Sequence, residues 1–216
     1  MLLKAIIAVV LVTGTLSDTV KVSIYYEALC GDSIRFIAQQ LHPNFPKLAD
    51  YIDLDLVPYG KAVHSNIHGT YYFSCQHGPA ECKGNVYQSC ALSQNQGDRK
   101  NVEFVNCIMR RNPDHFVNVE KCARKHEFNI GKIRNCSRGV EGSELLAQNG
   151  EKTLQLEPVL SFVPTIIYND VYSNQDHMQS LKDFAAVVCS KIEGDKPEIC
   201  ANKRLPRTSW GFFEIF

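Results

Sequence analysis

The stretch of sequence that decides the fold is VKVSIYYEALCGDS, which occupies residues 20–33. Its first seven residues alternate apolar and polar side chains and end in two aromatic ones, a pattern that predicts a β-strand. Apolar side chains at helical spacing follow between Ile34 and Leu41, which predicts an amphipathic helix. The sequence therefore places Cys30 where a strand passes into a helix.

Two prolines and a second strand complete the first structural unit. Proline interrupts helical hydrogen bonding, so we expect the helix to end at Pro43 and Pro46. The run IDLDLV at residues 52–57 alternates again and predicts another strand. Strand, helix and strand together form a βαβ unit over residues 18–58.

The position of Cys30 at the start of a helix predicts a reactive thiol. The first turn of a helix presents unpaired N–H groups and the positive end of the helix dipole, which together stabilise a thiolate, the form that attacks disulfides. Ser33 completes a Cys-x-x-Ser motif and would at most donate a hydrogen bond to the sulfur. The carboxylate of Asp32 would oppose ionisation of the thiol. A small buried cysteine without a chemical role fits the same motif.

The amino terminus and the charge balance indicate the compartment. Residues 1–17 run from a basic start through an apolar stretch to small residues, the order of a cleaved secretory signal. That stretch is too short to span a bilayer, which takes about 20 residues, and no other run in the sequence approaches that length. Lys and Arg (23) balance Asp and Glu (23), so no net field draws the chain to nucleic acid.

Cysteine is the compositional outlier, with nine copies. In an oxidising compartment cysteines usually pair, and an odd number leaves one over. Cys30 stands well ahead of the others, so we expect it to be the free thiol. The remaining eight are expected to form four disulfides: Cys75, Cys82, Cys90, Cys107, Cys122, Cys136, Cys189 and Cys200. Their connectivity stays open, although closeness in sequence favours Cys189 with Cys200.

The rest of the chain divides into three regions. Residues 59–158 are rich in cysteine and polar residues, and they predict a disulfide-rich insertion with three helices and little strand. Residues 159–200 predict a ββα unit, in which TIIY and VY flank an Asn-Asp turn and a helix follows. Residues 201–216 form a tail that no pattern assigns to an element.

Zinc is the main alternative for the cysteine cluster, since Cys75, His77, Cys82 and Cys90 are all zinc-ligand types. Their spacings do not form the paired knuckles of structural zinc sites, and the compartment favours disulfides. We therefore expect no metal. His77 and Glu81 are expected to hydrogen-bond within a disulfide-bounded loop.

The segment CQHGPAECKGNVYQSC, residues 75–90, resembles the signature of the gamma-interferon-inducible lysosomal thiol reductase family. Every fixed position of that signature is matched: Cys-Gln-His-Gly, two residues, Glu-Cys, two residues, Asn, four residues and Cys. The similarity continues through Val163-Pro164, Cys189 and Cys200, and so spans most of the chain. The resemblance implies an α/β, thioredoxin-like fold, with the helical insertion between the βαβ and ββα units.

The resemblance also implies a function, the reduction of disulfide bonds in client proteins at acidic pH, in the lysosome or after secretion, with no prosthetic cofactor. It implies that Pro164 is a cis-proline beside Cys30. A cis bond there would let the Val163 backbone pair with an extended client segment. The triplet that begins at Asn135 is a glycosylation sequon, which suits the secretory route.

The chain departs from the family at Ser33, because the usual motif is Cys-x-x-Cys. A serine cannot resolve the mixed disulfide that Cys30 forms with a client. Turnover then depends on an outside thiol, such as glutathione or free cysteine.

Two other functions stay open. A single thiol that cannot be resolved internally suits a disulfide isomerase or a mixed-disulfide trap as well as a reductase. A non-enzymatic, cysteine-stapled binding protein on the same fold is also compatible, with Cys30 in an intermolecular bridge. The sequence names no particular client, and it leaves the oligomeric state open.

Overall fold

A computed structural model describes residues 19–203 of the chain. The predicted signal segment and most of the predicted tail, from residue 204 onward, lie outside the described residues. Among the helices that are described, none combines the length and the apolar character that crossing a bilayer requires.

A three-stranded sheet is the centre of the structure, and β1 (Val20–Tyr26) is its middle strand. β2 (Ile52–Pro58) pairs with β1 in parallel along its whole length, and β5 (Thr165–Tyr168) pairs antiparallel on the other side. Successive side chains of a strand point to opposite faces of the sheet, and those of Val22 and Ser23 are both buried. Both faces of β1 are therefore covered, and the predicted strand–helix–strand order is present.

A long helical segment follows β1 and carries the site. It has three parts, α1 (Gly31–Phe36), a π-helical turn (Ile37–Leu41) and α2 (His42–Leu48). The prediction that Pro43 and Pro46 end the helix is wrong. Pro43 lies in the first turn of α2, where a missing N–H costs little, and the buried side chains of Phe45 and Leu48 hold the last turn despite Pro46.

The insertion contains a β-hairpin and five helices. Their bounds are β3 (Val63–Ile67), β4 (Thr70–Ser74), α3 (Pro79–Leu92), α4 (Asp98–Met109), α5 (Phe116–Lys125), α6 (Ile130–Arg138) and α7 (Val140–Leu154). The sequence predicts only three of these helices and no hairpin. Both strands of the hairpin are largely exposed, and α3 buries polar residues such as Glu81 and Gln88, so neither shows the apolar periodicity that a prediction needs.

The last elements of the fold are β5 and α8 (Asn174–Lys191). The predicted hairpin after β5 is wrong, because Val171 makes only an isolated bridge to Tyr168. Asn169 and Asp170 turn the chain with positive φ angles, and Val171 is 68% exposed, so no second strand packs there. The closing unit is therefore βα rather than ββα.

Four disulfides hold the described part together, as predicted. They are Cys75–Cys82, Cys90–Cys136, Cys107–Cys122 and Cys189–Cys200. The second ties α3 to α6, and the third ties α4 to α5. Each closes a loop in the unfolded chain, and for a loop of 15 residues, such as that of Cys107–Cys122, the loss of unfolded-state entropy is worth about 3 kcal/mol. The pairing of Cys189 with Cys200, favoured from the sequence, is confirmed.

Candidate active site

Cys30 caps the amino terminus of α1. Its backbone is still extended (φ −66°, ψ 123°), and its carbonyl oxygen accepts a hydrogen bond from the Ile34 N–H at 2.9 Å. The next two residues, Gly31 and Asp32, are exposed, so Cys30 lies close to the protein surface. It is the free cysteine of the described residues, as predicted.

The sulfur of Cys30 is more shielded than the sequence suggests. Only 8% of the residue is exposed, and its thiol donates a weak hydrogen bond to the Val163 carbonyl oxygen at 3.7 Å. A nucleophilic thiol must be open to solvent, and this one is largely shielded. A client disulfide reaches this sulfur only if the thiol gives up its contact with Val163.

The loop that faces Cys30 contains the predicted cis-proline. The peptide bond between Val163 and Pro164 is cis, and both residues are buried. The loop is fastened where β5 begins, because the Thr165 hydroxyl donates a hydrogen bond to the Phe162 carbonyl oxygen at 2.7 Å. The aromatic side chain of Phe162, next to Val163, is 38% exposed and so lies at the protein surface.

Ser33 has a different partner from the one that the sequence suggests. The residue is completely buried, and its hydroxyl oxygen accepts a hydrogen bond from the Glu27 N–H at 3.4 Å. Within residues 19–203 no hydrogen bond joins Ser33 to Cys30. The first turn of α1 directs the hydroxyl toward the end of β1, so it supports the backbone and not the sulfur.

Asp32 is neutralised by a residue that the sequence argument missed. The Arg35 guanidinium lies 2.8 Å from the Asp32 carboxylate, and the two side chains are 66% and 47% exposed. The two positions are three residues apart, a spacing that brings side chains together on a helix and could have predicted the pair. The unfavourable effect of Asp32 on a nearby thiolate is therefore reduced by an adjacent cation.

The Cys30 loop, residues 27–30, is anchored by helix α3 of the signature segment, residues 75–90. The side-chain oxygen of Asn85 accepts a hydrogen bond from the Ala28 N–H at 2.9 Å, and both residues are fully buried. Gly84 lies against the same alanine, and a β-carbon at that glycine would come within 2.8 Å of the Ala28 side chain. The signature thus fixes the backbone just before the nucleophile, a role that spacing within residues 75–90 alone does not predict.

Three titratable residues meet beside this loop. The His77 Nδ1 lies 2.6 Å from Glu81 Oε2 and 3.3 Å from Glu27 Oε2. The hydrogen bond between His77 and Glu81 lies inside the loop closed by Cys75–Cys82, as predicted. Burial, reinforced by the neighbouring Glu81 carboxylate, raises the pKa of Glu27.

Glu27 is held in place from its other side by the chain after β2. Its Oε1 accepts a hydrogen bond from the Lys61 N–H at 2.7 Å. Gly60 has a φ of 64°, and a β-carbon there would lie only 2.1 Å from Glu27 Cγ. The close approach of the two chain segments therefore requires a glycine at residue 60, and no local sequence pattern announces this long-range packing.

A small cavity of about 120 Å³ borders the site. It lies between α1 and the cis-proline loop, and its walls include Asp32, Arg35, Phe162 and Leu181. A second cavity, of about 450 Å³, is lined by residues of α4 and α5 and contains none of the groups around Cys30. The smaller cavity is therefore the nearer of the two to Cys30, and it shares Asp32 and Phe162 with the surroundings of that residue.

The sheet order and a free cysteine at a helix start opposite a cis-proline define a thioredoxin-like thiol–disulfide protein. Comparison with solved structures agrees on the thioredoxin-like fold. DsbA of Chlamydia trachomatis superposes with a TM-score of 0.55 at 15% sequence identity, over 78% of this chain and 86% of that one. A putative protein disulfide isomerase from Nitrosomonas europaea gives a TM-score of 0.51 at 11% identity, over 76% and 95% of the two chains.

Sequence comparison places the chain within one family of that class. The family model described as gamma interferon inducible lysosomal thiol reductase (GILT) matches residues 21–126. GILT-like protein 1 of Drosophila melanogaster is 33% identical over 84% of this chain and 78% of its own length. The gamma-interferon-inducible lysosomal thiol reductase of Carassius auratus is 33% identical over 89% and 76%. The chain belongs to this family and, with it, to the thiol–disulfide oxidoreductases.

Proposed function

We propose that this protein reduces the disulfide bonds of client proteins with Cys30 as its single nucleophile, and that a low-molecular-weight thiol such as glutathione or cysteine completes each turnover. Cys30 attacks one client sulfur as a thiolate, forms a mixed disulfide and releases the other client sulfur as a thiol. An external thiol then attacks the Cys30 sulfur and frees the client. A second external thiol regenerates Cys30, so two thiols are oxidised to one disulfide for each client disulfide reduced.

The observation that carries this proposal is the isolation of Cys30. The other eight cysteines of the chain are paired in the four disulfides, and Ser33 occupies the position of a resolving thiol. Because no second thiol is available in the described structure, the electrons must come from outside the protein. No prosthetic cofactor enters this scheme.

The cis-proline loop is the proposed client-binding element. The Val163 carbonyl oxygen faces the Cys30 thiol, so a client strand that pairs with the Val163 backbone would bring its disulfide to the sulfur. The exposed ring of Phe162 lies next to this position and favours clients with apolar residues near the disulfide. Val163 and Pro164 are the proposed client-binding residues of this loop.

The proposed compartment is the secretory route, ending in the lysosome or outside the cell. Four disulfides require an oxidising environment during folding, which that route supplies. Asn135, the proposed glycosylation site, is exposed on α6. Residues 1–17 are the proposed signal that directs the chain there.

A mixed-disulfide trap or an isomerase is the second candidate, because the same buried Ser33 leaves the adduct unresolved. An insulin-reduction assay with excess glutathione, at about pH 5 and about pH 7, separates the candidates. We expect insulin reduction by the wild type that rises with glutathione concentration, and none above background for Cys30→Ala. Equal rates for the two proteins would overturn the proposal, and reshuffling of scrambled ribonuclease without net reduction would favour the isomerase.

A further inference from the structure

Two fully buried carboxylates converge on one imidazole in front of the Cys30 loop. Glu27 and Glu81 are both 0% exposed, and one ligand atom from each of Glu27, His77 and Glu81 lies within 4.8 Å of the other two. Within residues 19–203, neither carboxylate pairs with a lysine or arginine side chain, and Lys61 contributes only its backbone N–H. A single imidazolium can balance only one of the two charges, and an unbalanced buried charge is costly.

One oxygen of this cluster lacks a hydrogen-bond donor. Glu27 Oε2 is buried without a hydrogen-bond partner, whereas Oε1 of the same carboxylate is fixed by Lys61. The orphaned oxygen faces the His77 ring at 3.3 Å. Buried polar atoms are rarely left unpaired, so an unpaired carboxylate oxygen aimed at a second ligand type indicates a position for a cation.

We propose that Glu27, His77 and Glu81 form a binding site for a divalent transition-metal ion such as Zn²⁺. Two carboxylates and one neutral imidazole supply the oxygen and nitrogen donors that zinc prefers, and together they cancel its charge. Zinc binds such donors at about 2.0–2.2 Å, which sets neighbouring donors of a tetrahedral site roughly 3.3 Å apart. The Glu27–His77 separation of 3.3 Å already has this value, whereas Glu81 Oε2, at 2.6 Å from the same nitrogen, must move away from it to make room for the ion.

The surrounding structure organises this site in advance. The Cys75–Cys82 disulfide closes the loop that presents His77 and Glu81, and Gly60 leaves room for the Glu27 side chain. The His77 side chain is 39% exposed, so an ion can enter from solvent and a water molecule can complete the coordination. The cysteines near His77 in sequence all form disulfides and cannot bind zinc, whereas the two buried carboxylates that face His77 can.

Such an ion would join the Cys30 loop to the signature segment without contacting the nucleophile. The proposal concerns metal binding only, and its outcome does not depend on the reductase activity. Its test is therefore a binding measurement and not a rate.

Isothermal titration of the oxidised protein with ZnCl₂ at about pH 7 tests the site, with Cys30 alkylated beforehand so that its thiol cannot bind the ion. We expect one bound equivalent for the wild type. His77→Ala and Glu27→Gln should each weaken binding by at least about tenfold, and the matched control His115→Ala, an exposed histidine outside the three-residue cluster, should leave it unchanged.

Absence of a bound equivalent in the wild type would overturn the proposal. So would equal affinity in all four proteins, because that pattern indicates adventitious binding. The near-ultraviolet circular dichroism of each zinc-free variant checks its folding. If Glu27→Gln fails to fold, the difference in affinity between His77→Ala and His115→Ala decides the test, because both of those side chains are partly exposed.

Discussion

The central sheet and the signature helix α3 both reach the Cys30 loop, but they hold it by different kinds of contact. β1 is fixed by main-chain pairing on both sides and by apolar side chains such as Ile24, which is fully buried. α3 instead presents buried polar groups: Asn85 accepts a hydrogen bond from the Ala28 backbone, and Glu81 binds His77, which faces the Glu27 carboxylate. Apolar burial thus supplies the stability of the fold, whereas directed polar contacts set the position of the nucleophile.

The largest expected effect is the loss of stability when the sheet is damaged. Ile24→Ala removes a buried side chain from β1, and such changes cost about 2–5 kcal/mol of unfolding free energy. Denaturant unfolding measures the loss. The matched control is Val63→Ala on the exposed hairpin, which should change stability by less than about 0.5 kcal/mol. Similar losses for the two variants would show that the sheet is not the stabilising core.

A substitution in α3 should show whether the position of Cys30 can be disturbed while the protein stays folded. Asn85→Ala leaves the buried Ala28 N–H without an acceptor, at a cost of about 1–3 kcal/mol. Because the Cys30 loop then shifts, we expect kcat/KM for insulin reduction to fall by roughly 10- to 100-fold in protein that is still folded. Gln148→Ala, on the exposed side of α7, is the control. A loss of stability with an unchanged rate would contradict the positioning role of α3.

An exposed contact beside Cys30 should have a smaller effect. Arg35→Ala removes the cation that pairs with Asp32, and exposed pairs are worth at most about 1 kcal/mol. We expect alkylation of Cys30 by iodoacetamide at neutral pH to slow by no more than about fivefold, and the difference to shrink in high salt. Arg35→Lys keeps the charge and should react nearly as fast as the wild type. Identical slowing in both variants would mean that the charge is not responsible.

The weakest expected effect is a dependence of stability on pH near the cis-proline loop. His177 of α8 is buried beside the ring of Phe162, and burial lowers its pKa from the ordinary 6.5. Since the unfolded chain takes up a proton near pH 6.5 and the folded chain does so only at lower pH, the stability that neutral His177 contributes is complete above pH 6.5. It declines as the pH falls below 6.5 toward the folded pKa.

Thermal unfolding at about pH 7.5 and about pH 5 measures this dependence. The wild type should lose more stability on acidification than His177→Gln, whereas the exposed control His115→Gln should behave like the wild type. An equal acid-induced loss of stability in all three proteins would contradict the proposed contribution of His177.

The sequence predicts the region governed by apolar burial better than the region governed by polar contacts. The alternation and helical spacing of apolar residues around Cys30 predict β1, the start of α1 and β2. They do so because the apolar residues of these elements are the ones that pack in the core. Pro43 and Pro46 mislead, since Pro43 falls in the first turn of α2 and the burial of Phe45 and Leu48 in the core outweighs the cost of Pro46. The hairpin after β5 fails for the opposite reason, because Val171 is largely exposed and Tyr172 packs against the sheet and His177 without pairing as a strand.

The sequence predicts the reactive groups of the site, but not the contacts that hold them in position. Parsimony among nine cysteines identifies Cys30 as the free thiol, and the family resemblance implies the cis bond before Pro164. The contact of Ser33 with the Glu27 backbone depends on how α1 packs on the end of β1, and that of Gly60 with the Glu27 side chain depends on how the ends of β1 and β2 meet. Such contacts join residues that are close only after folding, so residue types and spacing do not reveal them.

The central claim, that Cys30 acts alone and an external thiol resolves its adduct, is tested most directly by mass spectrometry of the protein mixed with a disulfide-bonded client. Without added thiol, we predict that a one-to-one mixed disulfide on Cys30 accumulates, and that glutathione then releases the reduced client. Ser33→Cys, which restores a resolving thiol, should not accumulate the adduct. Full release of reduced client without any external thiol, or an adduct on another cysteine, would contradict the account.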